Sequence, residues 1–266
     1  MREPPVLVDI DARGVATATL NRPERGNAYD EDLLAALIDG LTALEADAQV
    51  RALVIRGAGR HFQAGADINW LGRASDYAPP EAFTASMATT TAMQKLNEFS
   101  RPTIAVVQGA CFGGGCGMVC CVDVALATPE ALFGLTEVRV GVAPTPISTH
   151  MVHAMGLRHT RRYALTGERF GAAEALRIGL VHEVVAAEAM EGRVAAVLDA
   201  CFLGAPGAIA VTKHSFLSAN GLTLDARAMA MLAHESWMQR NSAEGHEGTA
   251  AFRDKRAPAW YAPAKP

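Results

Sequence analysis

The chain has 266 residues, 50 % of them hydrophobic, a formal net charge of −4 and an isoelectric point near 6.1. That length and apolar content support one large domain with a substantial core and exclude a disordered chain. The slight negative charge gives no electrostatic basis for binding nucleic acid or an anionic membrane, and no apolar run approaches the roughly 20 residues needed to cross a bilayer.

The opening Met-Arg-Glu-Pro-Pro is charged and proline-rich and leads into a strand pattern, so it does not read as a secretory leader. Val6 to Ile10 and Val15 to Leu20 alternate apolar and polar residues around Asp11-Ala12-Arg13-Gly14, which predicts a β-hairpin. Asp30 is placed to cap a helix with apolar residues at Leu33, Leu34, Leu37, Ile38, Leu41 and Leu44, spaced by threes and fours. Ala52 to Ile55 and Thr103 to Val107 are short apolar runs that predict buried strands. Residues 72–80 read as an exposed loop before a helix containing Met87, Met93 and Leu96. Residues 123–127 predict another strand. Helical periodicity then covers residues 172–177, 194–202, 208–216 and 226–238, with Gly179-Leu180-Val181-His182 as a short strand between the first two.

Strands alternating with helices, then helices alone, imply an α/β fold. The expected division is a core over residues 1–200 and a helical C-terminal region over 201–266 that can dock on a neighbouring subunit. Of the five cysteines, Cys111, Cys116, Cys120 and Cys121 cluster in an apolar, glycine-rich segment, and Cys201 stands apart. No His or carboxylate recurs near them at ligand spacing, so buried, reduced thiols in a cytoplasmic protein are expected.

Two loops carry the chemistry. His61-Phe62-Gln63-Ala64-Gly65-Ala66-Asp67-Ile68 follows a predicted strand, and its small residues leave main-chain N–H groups open to a ligand. Asp67 is placed to cap the turn after it. Gly109-Ala110-Cys111-Phe112-Gly113-Gly114-Gly115-Cys116-Gly117 also follows a predicted strand, and three glycines opening an apolar helix expose donors at the positive end of its dipole. Such a site suits a phosphate or a developing oxyanion. A phosphate loop requires Lys and Ser or Thr after the glycines, and Cys116-Gly117 stands there instead. Each loop by itself also fits a purely structural role, its small residues serving tight packing.

Together with Asn21-Arg22-Pro23 through Asn27-Ala28, Phe133-Gly134-Leu135-Thr136-Glu137, and Ala172 through Gly179-Leu180-Val181, these loops resemble the crotonase, or enoyl-CoA hydratase/isomerase, superfamily over nearly the whole chain. The resemblance implies a crotonase-like ββα spiral core with a helical C-terminal trimerisation region, and a homotrimer or dimer of trimers. It implies an acyl-CoA thioester substrate, with coenzyme A part of the substrate and no separate cofactor. The N–H groups of Ala66 and Gly114 are then expected to form an oxyanion hole.

Hydratases of this family typically use two glutamates. The position of the first is Gly117 here, and the second aligns with Glu137, whose apolar neighbours should raise its pKa. Glu137 is therefore the expected single acid–base residue. Residues 143–148, Ala-Pro-Thr-Pro-Ile-Ser, lack the family's common glycine-rich stretch after the proline. With Gly117, this departure resembles a branch that hydrates 3-methylglutaconyl-CoA and related branched acids, which favours hydration. An enoyl-CoA isomerase, an acyl-CoA decarboxylase and a non-catalytic acyl-CoA-binding paralogue are the competing readings.

The resemblance further assigns Arg22, Arg25 and Lys255 to the coenzyme A phosphates, and Ala64, Asp67 and Ile68 to the adenine pocket, with Gly65, Gly113 and Pro144 completing the substrate-binding set. Asn69 stands where the family often has a lysine. His150 and His153 share a helical face, but no third ligand accompanies them and no metal is expected. His214 and Trp237 read as packing residues.

Overall fold

The computed structural model describes residues 3–74, 76–221, 223 and 225–259. The predicted hairpin forms: β1 (Val6–Ile10) pairs antiparallel with β2 (Val15–Leu20), Val6 opposite Leu20. Asp11 closes its turn by accepting from the N–H groups of Arg13 and Val15. The α1 helix (Glu31–Ala46) is capped by the Asp30 carboxylate, which accepts from the Leu33 N–H, and it buries Leu33, Leu34, Leu37, Leu41 and Leu44. At about 1.5–3 kcal/mol for each fully buried leucine, that stripe seats the helix.

After β3 (Ala52–Gly57) come α2 (Ile68–Ala74) and α3 (Pro79–Asn97). The loop expected over 72–80 is shorter than that: Gly72 to Ala74 are helical, and Pro79 and Pro80 begin α3, where a missing N–H costs nothing. The chain continues through β4 (Thr103–Val107), β5 (Ala110–Phe112), α4 (Gly114–Cys120), β6 (Val124–Ala127) and β7 (Leu132–Gly134). A single 3-10 turn, Glu137–Val140, leads into α5 (Thr145–Thr166), which bends at Gly156. Then follow β8 (Arg169–Gly171), α6 (Ala172–Arg177), β9 (Glu183–Val184), α7 (Met190–Phe202), α8 (Pro206–Ala219), α9 (Ala226–Arg240) and α10 (Ala243–Arg253).

The strand expected at Gly179 to His182 begins later, at Glu183. Gly179 has φ +83° and the Leu180 and Val181 N–H groups turn back to the Ala175 carbonyl, so these residues terminate α6.

Six strands form one sheet in the order β1-β2-β3-β4-β6-β9, parallel except for the hairpin, and β5-β7-β8 form a second small sheet. The parallel strands are buried on both faces. Leu53, Ile55, Ala105 and Val107 join the main core with α1 and α3, whereas Val54, Ile104 and Val106 pack against Met190, Val194 and Leu198 of α7. This two-sided burial explains why these strands read as continuous apolar runs. No single helix among the described residues is long and apolar enough to cross a membrane. The last two helices fold back: α9 packs on α3 and α5, and α10 on α2 and the 3-10 turn at Glu137.

Candidate active site

Three short hydrogen-bonded seams bring distant loops together. Asn27, fully buried with a left-handed φ of 57°, donates through Nδ2 to the carbonyls of Ala58 and His61 and accepts from the Arg22 N–H. Asparagine is one of the few non-glycine residues that tolerates this conformation. Its bonds fix the following residues, so that the Tyr29 N–H reaches the Gly65 carbonyl and the Tyr29 carbonyl accepts from the Asp67 N–H. That bridge uses the groups flanking Ala66 and turns the Ala66 N–H to the opposite edge. A second bridge joins Gln63 to Cys111, and His61 Nδ1 accepts from the Ala110 N–H at 3.0 Å. The β5–β7 pairing supplies the third seam, with the Gly113 N–H donating to the Gly134 carbonyl.

The glycine run is required by what surrounds it. A Cβ at Gly113 would lie 2.9 Å from Glu137 Oε1, at Gly114 2.5 Å from the Tyr29 ring, and at Gly115 2.6 Å from the Gln63 carbonyl oxygen. At Gly114 and Gly115 a ring and a main-chain oxygen leave room only for hydrogen, and at Gly113, where the Glu137 carboxyl can give way, a φ of +51° favours glycine. Gly114 is the first residue of α4, so its N–H has no partner within the helix. Gly117, where the resemblance places a glutamate in other members, has Ile147 at 2.4 Å from a would-be Cβ. The isoleucine fills the space that such a side chain would need.

Glu137 opens the 3-10 turn after β7. Its Oε2 is cut off from solvent and has no hydrogen-bond partner, and burial pushes its pKa up to about 7, opposed by a hydrogen bond from its own backbone. A carboxyl of that kind exists in both protonation states at neutrality. The Tyr29 hydroxyl lies close by, with Thr89 beside it; burial first, and the charge of Glu137 second, raise its pKa. The Tyr29 ring packs edge-on against Trp70, with centroids 5.7 Å apart.

These groups line one cavity of about 120 Å³. Ala64, Gly65, Ala66, Ile68, Gly113, Gly114, Glu137 and Pro144, eight of the residues expected from sequence, lie on its wall. Arg22, Arg25, Asp67 and Lys255 do not line it. Arg22, expected at the coenzyme A phosphates, is buried in an ion pair with Asp30: a guanidinium at 6 % exposure keeps its charge by taking a partner. Asp67 caps α2 by accepting from the Asn69 and Trp70 N–H groups, and its other oxygen takes Arg25 Nη1 at 3.1 Å. Lys255 is exposed beyond α10.

Sequence reasoning missed Tyr29, Thr89, Ser236 and Arg240 on the cavity wall. For the last two a signal exists: Ala233, Ser236 and Arg240 form the buried stripe of α9, so an arginine sits where an apolar residue is the rule. His150 is buried with both ring nitrogens unpartnered and its pKa lowered to about 4 by burial and then by His153, and it lies off the cavity. Cys111, Cys116 and Cys121 are buried free thiols.

Comparison with known proteins identifies the chain's relatives. Residues 11–263 match the family described as enoyl-CoA hydratase/isomerase. A crotonyl-CoA hydratase of Syntrophomonas wolfei is 31 % identical over 245 residues, covering 91 % of this chain and 92 % of that protein. A 2,3-dehydroadipyl-CoA hydratase of Escherichia coli is 29 % identical over 245 residues, 92 % and 94 % of the two chains. The crystal structure of an enoyl-CoA hydratase from Mycobacterium avium superposes with a TM-score of 0.85 at 33 % identity, covering 98 % of this chain and all (100 %) of the other.

Proposed function

Because the chain belongs to the enoyl-CoA hydratase/isomerase family, we propose that it is a hydro-lyase adding water across the 2,3 double bond of an enoyl-CoA thioester. The observation that carries this reading is the convergence of Ala66, Gly114 and Glu137 on one cavity from three separate segments.

In this reading the thioester oxygen accepts hydrogen bonds from the Ala66 and Gly114 N–H groups. As water attacks the β-carbon the oxygen takes up enolate charge, and each donor lowers that barrier by about 3–4 kcal/mol. Ionised Glu137 removes the proton of the attacking water and then delivers it to the α-carbon, so one carboxyl closes the cycle and no separate cofactor has a step to supply. A pKa of about 7 suits both halves of that duty. With Ile147 filling the place of a second carboxyl, we assign the Tyr29 hydroxyl, on the same wall and within electrostatic reach of Glu137, to hold the water from its other side.

The names of the two relatives above differ in their acyl ends, so the family alone leaves that end open. The small cavity favours a short acyl group, and the branched 3-methylglutaconyl type is the substrate this reading prefers. Coenzyme A would lie outside the cavity, where Arg25 and Lys255 are accessible. A trimer or dimer of trimers accords with Leu203, Val211 and Phe216, apolar side chains 91 %, 66 % and 70 % exposed.

The test is incubation with crotonyl-CoA and 3-methylglutaconyl-CoA while following enoyl-thioester absorbance. Loss of absorbance with formation of the 3-hydroxyacyl product is expected. Double-bond migration or CO2 release without hydration would overturn the proposal.

A further inference from the structure

Arg240, the last residue of α9, lies on the cavity wall and is 3 % exposed. One guanidinium nitrogen, Nη2, donates to the Ala82 carbonyl at 3.0 Å and to Ser86 Oγ at 3.1 Å, both on α3. Its Nε is buried with no partner. The guanidinium carbon stands 5.9 Å from the centre of the Trp70 ring, itself part of the wall. Among the described residues no carboxylate lies within ion-pair distance of it, and burial pulls its pKa below the ordinary value, opposed by Tyr29, Tyr77 and Glu31.

The contrast with Arg22 is informative. There a buried guanidinium is matched by Asp30 within the protein. At Arg240 two uncharged acceptors, an aromatic face and the carboxylate of Glu31, beyond ion-pair distance, take up only part of the charge, and a buried cation left in that state is unfavourable until a counter-ion arrives. Stapling α9 to α3 needs Nη2 alone and leaves the unpartnered Nε, and its place on a ligand cavity, without a role. Tyr29, Thr89 and Ser236 add hydroxyls to the same wall. Apart from Thr136 and Glu137 the rest of it is apolar, including Leu71, Val142, Ile147 and Phe252, so an alkyl chain end would leave the guanidinium unpaired.

We propose that Arg240 receives a carboxylate at the far end of the acyl group, so that the preferred substrate is a short 2-enoyl-CoA ending in a carboxylate. The assignment rests on the acyl-CoA reading of this cavity, in which the preferred glutaconyl-type chain already ends in a carboxylate, and adds the residue that recognises that terminus. A guanidinium pairs with a carboxylate through charge-assisted hydrogen bonds, and removing either partner forfeits both the bond and the desolvation already spent.

The experiment compares binding of two saturated thioesters that cannot be hydrated, glutaryl-CoA and pentanoyl-CoA, by calorimetry. The wild-type protein is expected to bind glutaryl-CoA at least tenfold more tightly. Arg240→Met should bring the two affinities together, and Arg240→Lys, which keeps the charge and a donor toward α3, should retain part of the difference. Equal affinity of the wild-type protein for the two thioesters, or an equal loss for both in Arg240→Met, would overturn the assignment. A glutaryl-CoA preference in a protein that hydrates neither crotonyl-CoA nor glutaconyl-CoA would refute the hydratase reading and support Arg240, so the two failures are distinguishable.

Discussion

Replacing Glu137 by Gln should stabilise the protein while it removes activity, and the size of the gain should follow pH. The carboxyl is buried with one oxygen unpartnered, and its pKa stands at about 7 against an ordinary value of 4.5. Folded protein therefore holds this proton more tightly than unfolded chain. Below pH 4.5 the group is neutral in both states and costs nothing; between 4.5 and 7 folding becomes progressively less favourable; above 7 the full penalty applies. A difference of about 2.5 units at 1.36 kcal/mol each amounts to about 3 kcal/mol at pH 9, against about 1 kcal/mol at pH 5. Glutamine keeps the shape and cannot ionise, so Glu137→Gln should exceed wild type by those amounts in denaturant unfolding at the two pH values. In melting temperature the gain at pH 9 corresponds to roughly 6–12 °C for a domain of this size. A stability difference independent of pH would refute the account of a desolvated carboxyl. The same variant should lose about 10²–10⁴ in kcat with enoyl-CoA, and wild-type kcat/KM should show an inflection near pH 7 that the variant lacks.

The Tyr29→Phe change keeps the ring against Trp70 and removes only the hydroxyl, so it should lower kcat by about 10- to 100-fold, on the scale of one lost hydrogen bond to a reacting group, with little change in melting temperature. A kcat equal to wild type would remove the hydroxyl from the reaction. Gly114→Ala drives a methyl into the Tyr29 ring at 2.5 Å and displaces the amide, and kcat should fall by about 10²–10³ with the fold retained by circular dichroism. Gly117→Glu collides with Ile147 at 2.4 Å and should cost about 1–3 kcal/mol in urea unfolding; adding Ile147→Ala should recover part of that loss. Asn27→Ala leaves three carbonyls, one buried and two part-buried, without the Nδ2 donor and puts a left-handed φ of 57° on an alanine, and should cost about 3 kcal/mol in the same measurement.

Much of the fold is legible in the sequence because its signals are local. Asp30 before a leucine stripe, the Asp11 turn and the two apolar runs that form β3 and β4 each carry their reason within a few residues. The glycine run is legible as a bare backbone, yet the residues packed against it, Tyr29, Gln63 and Glu137, come from three other segments, and a single sequence does not show which residues meet. Arg22 is expected at the coenzyme A phosphates because residues 21–28 match a family segment, and its pairing with Asp30, just beyond them, shows only in three dimensions. Arg240 is hidden for a different reason. It lies far along the chain from the two glycine-bearing loops and from Glu137, on a helix that exposes apolar residues such as Met231 and Met238 and so masks a narrow buried stripe, and only the fold-back of α9 onto α3 carries it to the cavity. Gly117 stands out as a departure from the family pattern, but its cause, Ile147, is visible only in three dimensions.

The central claim is that two main-chain amides grip one thioester oxygen beside a single carboxyl, and a crystal structure with a saturated acyl-CoA tests it most directly. The thioester oxygen should lie about 2.7–3.1 Å from both the Ala66 and the Gly114 nitrogens, with the Glu137 carboxyl facing the α- and β-carbons. A thioester seated elsewhere, or held by only one of these amides, would contradict it.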